Sequence, residues 1–127
     1  MAREIKYGYA YARYVASDGV AIATNTLADT SPIPKNAIIT STTVHAAGPV
    51  VASGGAATVT IVAGGLDVTT DMAKTRLDTI GWVVREDMAE DESAVSDGTD
   101  IKVEIKAYVL TGGAVDLDIV VEYLLVN

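Results

Sequence analysis

Residues 115–126 alternate between apolar and polar positions at first and then stop alternating. Val115, Leu117, Ile119, Val121, Tyr123 and Leu125 fall on one face of a strand. Asp116, Asp118, Val120, Glu122, Leu124 and Val126 fall on the other, which turns from acidic to apolar toward its end. A strand apolar on both faces needs cover on both. In so small a chain the second cover is expected from another subunit, which assigns Leu124 and Val126 to a subunit interface.

The same alternation predicts strands elsewhere. Residues 5–15 set Ile5, Tyr7, Tyr9 and Tyr11 against Lys6, Gly8, Ala10 and Ala12, giving a strand with an aromatic face. Ser17-Asp18-Gly19 is a turn signal, and a short strand is expected at 20–24. Residues 25–35, with Pro32 and Pro34, read as a loop. Strands follow at 37–46 and 57–63, the latter with Val59 and Ile61 on one face, and brief edge structure is expected at 50–53. Residues 69–77 are the best helix candidate, capped by Thr70 or Asp71. Residues 80–85 predict a strand holding Trp82, and 86–100 an acidic loop ending in the hairpin signal Asp97-Gly98.

Charge suggests how the last two strands meet. Ile101, Val103, Ile105, Ala107 and Val109 are expected to face inward, with Lys102, Glu104, Lys106 and Tyr108 outward. A hairpin loop at Thr111-Gly112-Gly113 then sets Lys106 opposite Asp118 and Lys102 opposite Glu122. Each such pair contributes only about 0.2–1 kcal/mol, but together they favour one register. Seven or eight short strands separated by Gly, Asp and Pro turns predict one all-β domain over residues 1–127, an antiparallel β-sandwich. Residues 1–14 form its edge strand or an extended N-terminal arm.

Composition narrows the function classes. Half of the 127 residues are apolar, yet Phe is absent and Trp82 is the only Trp, so the core is built from Ala, Val, Ile and Leu. The net charge of −8 supplies no basic stripe for DNA or RNA and argues against anionic membranes. Disulfides and thiolate metal sites are excluded by the absence of cysteine. Met1-Ala2-Arg3-Glu4 leads into no apolar core, so no signal peptide is expected, and no apolar run reaches membrane-span length.

Catalytic chemistry is not expected. His45 is the only histidine, and no GxSxG elbow supplies a nucleophile, so it reads as a polar strand-end residue. Glu86, Asp87, Glu90, Asp91, Glu92, Asp97 and Asp100 lack the order of a calcium loop and read as a solvated run, with Asp97 and Asp100 the first ligands if calcium bound. Asp116 and Asp118 lie on an outer face, unlike a buried general acid. The paired glycines lack the Lys-Ser/Thr of a phosphate loop. No cofactor or metal is expected. The tyrosine stripe is a stronger signal and reads in three ways: an ordinary core strand whose hydroxyls reach the rim, a partner contact, or a sugar platform, since the ring is apolar and its hydroxyl tolerates water. Tyr7, Tyr9, Tyr11 and Tyr14 are the candidate contact residues.

The segment IPKNAIITSTTV, followed by a Gly turn and SGGAATVTIVAGG, resembles small structural proteins of tailed-phage virions, as does the ending SDGTDIKVEIKAYVLTGGAVDLDIVVEYLLV. The resemblance covers residue 33 onward and consists of strand-and-turn pattern. It implies a capsid decoration, or cement, protein or a head-fibre base. The implied fold is a jelly-roll-like sandwich, the implied state a homotrimer, and the implied partner the major capsid protein. The implied location is the virion exterior, after synthesis in the host bacterial cytoplasm. A strict jelly roll puts the last two strands in different sheets, against the charge register above. The alternative is a carbohydrate-binding or adhesion module of a tail fibre or cell surface, stacking sugars on Tyr7, Tyr9, Tyr11 and Trp82.

Overall fold

The computed structural model describes residues 4–88 and 94–126. Among these, ten strands form: β1 (Ile5–Val15), β2 (Thr24–Thr26), β3 (Asp29–Thr30), β4 (Ile38–Gly48), β5 (Thr58–Ala63), β6 (Leu66–Asp67), β7 (Met72–Ala73), β8 (Val83–Asp87), β9 (Lys102–Lys106) and β10 (Asp116–Val126). They make two antiparallel sheets, one ordered β3-β1-β10-β4-β8 and the other β2-β9-β5-β6. β7 continues β6 along the same edge of β5, so the two form one interrupted strand. With β3 set aside, four strands remain in each sheet, and the first strand lies beside the last. That is the double Greek-key order of a jelly roll.

Alternation explains the core. Ala10, Ala12 and Tyr14 of β1, Val44 and Ala46 of β4, and Leu117, Ile119 and Val121 of β10 point inward and are buried. Val59, Ile61 and Ala63 of β5 and Val103 and Ile105 of β9 meet them from the other sheet. The buried Tyr14 hydroxyl donates to the Gly19 carbonyl at 2.6 Å, which satisfies the one polar atom the ring brings into the core. Thr42 is less well served: it faces the core from β4, and its buried hydroxyl has no partner among the described residues. Thr42→Val removes that orphan at nearly constant shape and should stabilise the fold by about 1 kcal/mol. A melting temperature raised by roughly 4 °C would register it; a lowered one would show that the hydroxyl is satisfied in solution.

Several sequence expectations are corrected. The predicted hairpin of the last two strands does not form. β9 pairs with β2 and β5, whereas β10 pairs with β1 and β4. Lys106 instead meets Asp71 at 2.9 Å and Glu104 at 3.2 Å, and Asp118 meets Tyr11 and His45. Surface ion pairs are too weak and too interchangeable to decide sheet membership. Ile101, Val103 and Ile105 do face inward, but Ala107 adopts φ 72°, which ends the strand and leaves Ala107 and Val109 exposed. The chain then crosses between the sheets.

No helix occupies 69–77. β7 and a single 3-10 turn at Lys74–Arg76 stand there, because Asp71 accepts from Thr60 and Lys106 rather than capping a helix. The expected strand at 20–24 shifts to β2, β3 lies inside the expected loop at 25–35, and β8 starts one residue after Trp82. Glu90, Asp91 and Glu92 of the acidic run lie outside the described residues.

Glu86 links the edges of the two sheets on one side of the sandwich. Its carboxylate leaves β8 and accepts from the Thr70 amide at 2.7 Å, the Thr70 hydroxyl at 2.9 Å and Arg76 at 2.8 Å. Burial pushes this carboxyl up, but the bonds from Thr70 and Arg76 outweigh it and hold it below its ordinary value. A group held low in the fold gives up its proton more readily there than in the unfolded chain. Its contribution is complete above about pH 4.5 and fades as pH falls through the lowered value. The wild-type melting temperature should therefore fall faster than that of Glu86→Gln between about pH 5 and 3. Parallel curves would remove Glu86 from the account.

Candidate functional site: the outer face of the β1–β10–β4 sheet

The two outer faces of the sandwich differ in kind. On the β9 sheet, Lys102, Glu104, Lys106, Thr58, Thr60 and Thr24 point outward, and their charges are largely matched locally. Thr24 donates to Glu104, Thr60 to Asp71, and Lys106 to Asp71. Lys102, Glu104, Lys106 and Thr24 keep this face polar, while Thr60 is buried and the Thr58 hydroxyl is buried with no partner among the described residues.

The outer face of the other sheet is divided. At one end the polar groups satisfy each other. Arg13 donates two parallel bonds to Asp116, at 2.9 and 2.7 Å. Those bonds hold the Asp116 carboxyl below its ordinary value against a small opposing effect of burial. The Tyr11 hydroxyl donates to Asp118 at 2.9 Å, and this bond raises the phenol above its ordinary value. His45 Nδ1 lies 3.1 Å from the other Asp118 oxygen. Toward the middle, Ser41 donates to Glu122 at 2.8 Å.

At the other end the face is apolar. The registers place Tyr7 beside Leu124, Leu124 beside Ile38, and Ile38 beside Val95, an uninterrupted apolar row across the sheet. Ile5 and Val126 pair in the next row, and Tyr9 lies between Tyr7 and Tyr11. Tyr7 is 74% exposed, Tyr9 67% and Ile5 56%. Ile38 joins this face because an extra residue at Thr40 shifts the register of β4 between Ser41 and Ile39. Tyr123, on the inner side of β10, packs over Gly8, where an added Cβ would meet its ring at 2.5 Å.

The sequence-assigned contact residues are thus distributed as follows. Tyr7, Tyr9 and Tyr11 lie on the outer face. Tyr14 does not: it is fully buried, with burial pushing its phenol up to about 12, and is a core residue unavailable for contact. Its position decides this, since Tyr14 falls on the same side of the strand as Ala10 and Ala12. Leu124, half-buried, and Val126, exposed, lie beside Tyr7 and Ile5, so the supposed capsid and subunit contacts form one patch. Ile5, Ile38 and Val95 belong to it and were not assigned; the pairing of β1 with β10 is the signal that finds them.

The remaining candidates do not gather into a second site. Trp82 is exposed beyond β4, at the β8 end, so it does not extend the tyrosine stripe. Among the described residues no hydroxyl bonds the second nitrogen of His45, and no three potential metal ligands come together. Asp97 accepts from the Thr99 hydroxyl and amide, bonds that hold its carboxyl low and close a local turn. A cavity lined by Asp67, Val68, Thr69, Thr70, Glu86, Asp87 and Met88 opens at the sandwich edge, but its Glu86 is already committed to Thr70 and Arg76.

The fold and this face together define a jelly-roll sandwich with one solvated and one partly apolar outer surface. Two solved structures have the same fold. A chain of the cyanophage Pam1 capsid asymmetric unit superposes with a TM-score of 0.59 at 14% identity, over 97% of this chain and 86% of that one. A chain of the acidic stable capsid structure of Helicobacter pylori bacteriophage KHP30 superposes with a TM-score of 0.54 at 16% identity, over 99% of this chain and 97% of that one. The chain matches no protein-family model and no curated protein sequence.

Proposed function

We propose that the chain is a non-enzymatic structural protein of a phage virion, a capsid decoration or cement protein. It docks on the outer capsid surface through the apolar part of the β1–β10–β4 face. The observation that carries this reading is the row Tyr7, Leu124, Ile38 and Val95, flanked by Ile5, Val126 and Tyr9. Soluble monomers rarely leave contiguous apolar patches larger than a few hundred Å². Aromatic and aliphatic anchors free of unpaired charge make the centre of an interface. The solvated β9 face then looks away from the shell. The two capsid chains of like fold support the class of partner.

The mechanism is adhesive. Each buried Å² of apolar surface contributes about 25 cal/mol, and symmetry repeats one modest contact over the whole shell. One sheet face suffices for this, whatever the number of copies that associate. A sugar platform fits the Tyr7 end less well, because Leu124, Ile38, Val95 and Val126 set aliphatic carbon around that ring, while Glu122 opposite Tyr9 and Asp118 beside Tyr11 are already bonded to Ser41 and to Tyr11. Heads assembled without this chain should take it up from solution to saturation and become more resistant to heat. Absence of uptake, with hits on a glycan array, would transfer the reading to the adhesion module.

A further inference from the structure

We infer that the open edge of β1 pairs with the same edge of a second copy about a two-fold axis, joining two sandwiches through one continuous sheet. The inference stands apart from the capsid reading, which uses the face and not the edge. Open strand edges invite pairing, and folds blunt them with short, broken or charged strands. Three of the four edges here are blunted in those ways. β2 has three residues, β6 and β7 form a broken strand, and β8 carries Arg85, Glu86 and Asp87. The β1 edge is different. β3 covers only Ala12 and Arg13, and Ser31 completes Tyr11.

Those contacts fix the direction of the remaining groups. The Tyr11 amide donates to the Ser31 hydroxyl, and its carbonyl accepts from the Ser31 amide, both on the side away from β10. Main-chain direction alternates along a strand. The N–H and C=O of Ile5, Tyr7 and Tyr9 therefore face the open edge, and among the described residues nothing bonds them. The segment has no proline and no bulge, and its one inward-side charge, Lys6, lies opposite the small Gly8 in the pairing below and has Glu4 as its ion-pair partner.

It is also self-complementary. An axis at Tyr7 sets Ile5 opposite Tyr9 of the second copy and Tyr9 opposite its Ile5. Both main-chain groups of all three residues then bond reciprocally. Aliphatic and aromatic side chains meet in favourable cross-strand pairs on the outer face. Lys6 falls opposite Gly8, away from the Lys6 of the second copy. Glu4 and Lys6 pair with each other at 3.8 Å, so the segment adds little to the repulsion between two copies of charge −8.

The test is the solution mass of the full chain across concentration, by light scattering after size exclusion. The expected species has twice the 13.2 kDa chain mass and dissociates on dilution. Tyr7→Pro removes an outward N–H without touching the bonds to β10, and should weaken the dimer by more than about tenfold. Tyr7→Ser keeps that N–H and should weaken it far less. Hydrogen exchange supplies a readout that needs no variant: the Tyr7 and Tyr9 amides should gain protection as concentration rises. A monomer at every concentration, a trimer, equal loss in the two variants, or unprotected Tyr7 and Tyr9 amides in the dimer would each overturn the inference. The monomer would leave the edge to a strand from another protein.

Discussion

Serine in place of both Tyr7 and Tyr9 is expected to weaken binding to the capsid by at least about 100-fold, with a melting temperature unchanged within about 2 °C. The two halves of this expectation have separate causes. Buried tyrosines at the centre of an interface each contribute on the order of 2 kcal/mol, and 1.4 kcal/mol is a factor of ten. In the free protein neither ring is packed: Tyr7 is 74% exposed and Tyr9 67%. The fold therefore has little to lose when they are removed. Tyr14→Ser is the contrasting variant, because it empties a buried site and breaks the bond to Gly19. It should lower the melting temperature sharply. Binding isotherms to heads lacking the chain, with thermal melts alongside, separate the cases. Undiminished binding by the double variant would remove the tyrosine face from the account.

Alanine at Gly48 is expected to destabilise the sandwich by about 3 kcal/mol, a fall of roughly 12 °C in melting temperature. Gly48 ends β4 opposite Asp116, where the pairing with β10 shifts register between Asp116 and Leu117. There the backbone carbonyl of Ala114 comes so close that an added Cβ would overlap it. A backbone oxygen cannot swing aside as a flexible side chain does, so the strand end must move. The move would disturb Asp116 and with it the paired bonds from Arg13. Gly55→Ala is the control: a Cβ there meets nothing within 4 Å among the described residues, and its effect should be near zero. Equal effects at the two positions would show that chain stiffness, and not the close approach, sets the cost.

The long strands were legible in the sequence because alternation is a local property. β1, β4, β5 and β10 each carry it for six residues or more, and their inward residues follow from it. The partners of each strand were not legible. The pairs Lys106–Asp118 and Lys102–Glu122 fitted a hairpin, yet Lys106 found two other acids and Asp118 two other partners. Charge is plentiful on this surface and each pair is weak, so many registers satisfy it. The jelly-roll order depends on where the chain crosses between sheets. Here that crossing follows a left-handed Ala107, a conformation that an alanine does not advertise.

The candidate site was half legible for the same reason. The tyrosine stripe and the apolar end of β10 were each visible, but as two surfaces. Only the pairing of Tyr7 with Leu124 makes them one. Tyr14 was misassigned although its place in the alternation already separated it from Tyr7, Tyr9 and Tyr11. Ile38 could not have been placed, because its side depends on the extra residue at Thr40.

The central claim is that the apolar β1–β10–β4 face meets the capsid and the charged β9 face meets solvent. Electron cryomicroscopy of heads carrying the chain tests it most directly. The account predicts density for the sandwich on the outer surface, with Tyr7, Tyr9, Leu124 and Ile38 at the shell. Density with Lys102, Glu104 and Lys106 at the shell, or no density on the head at all, would contradict it.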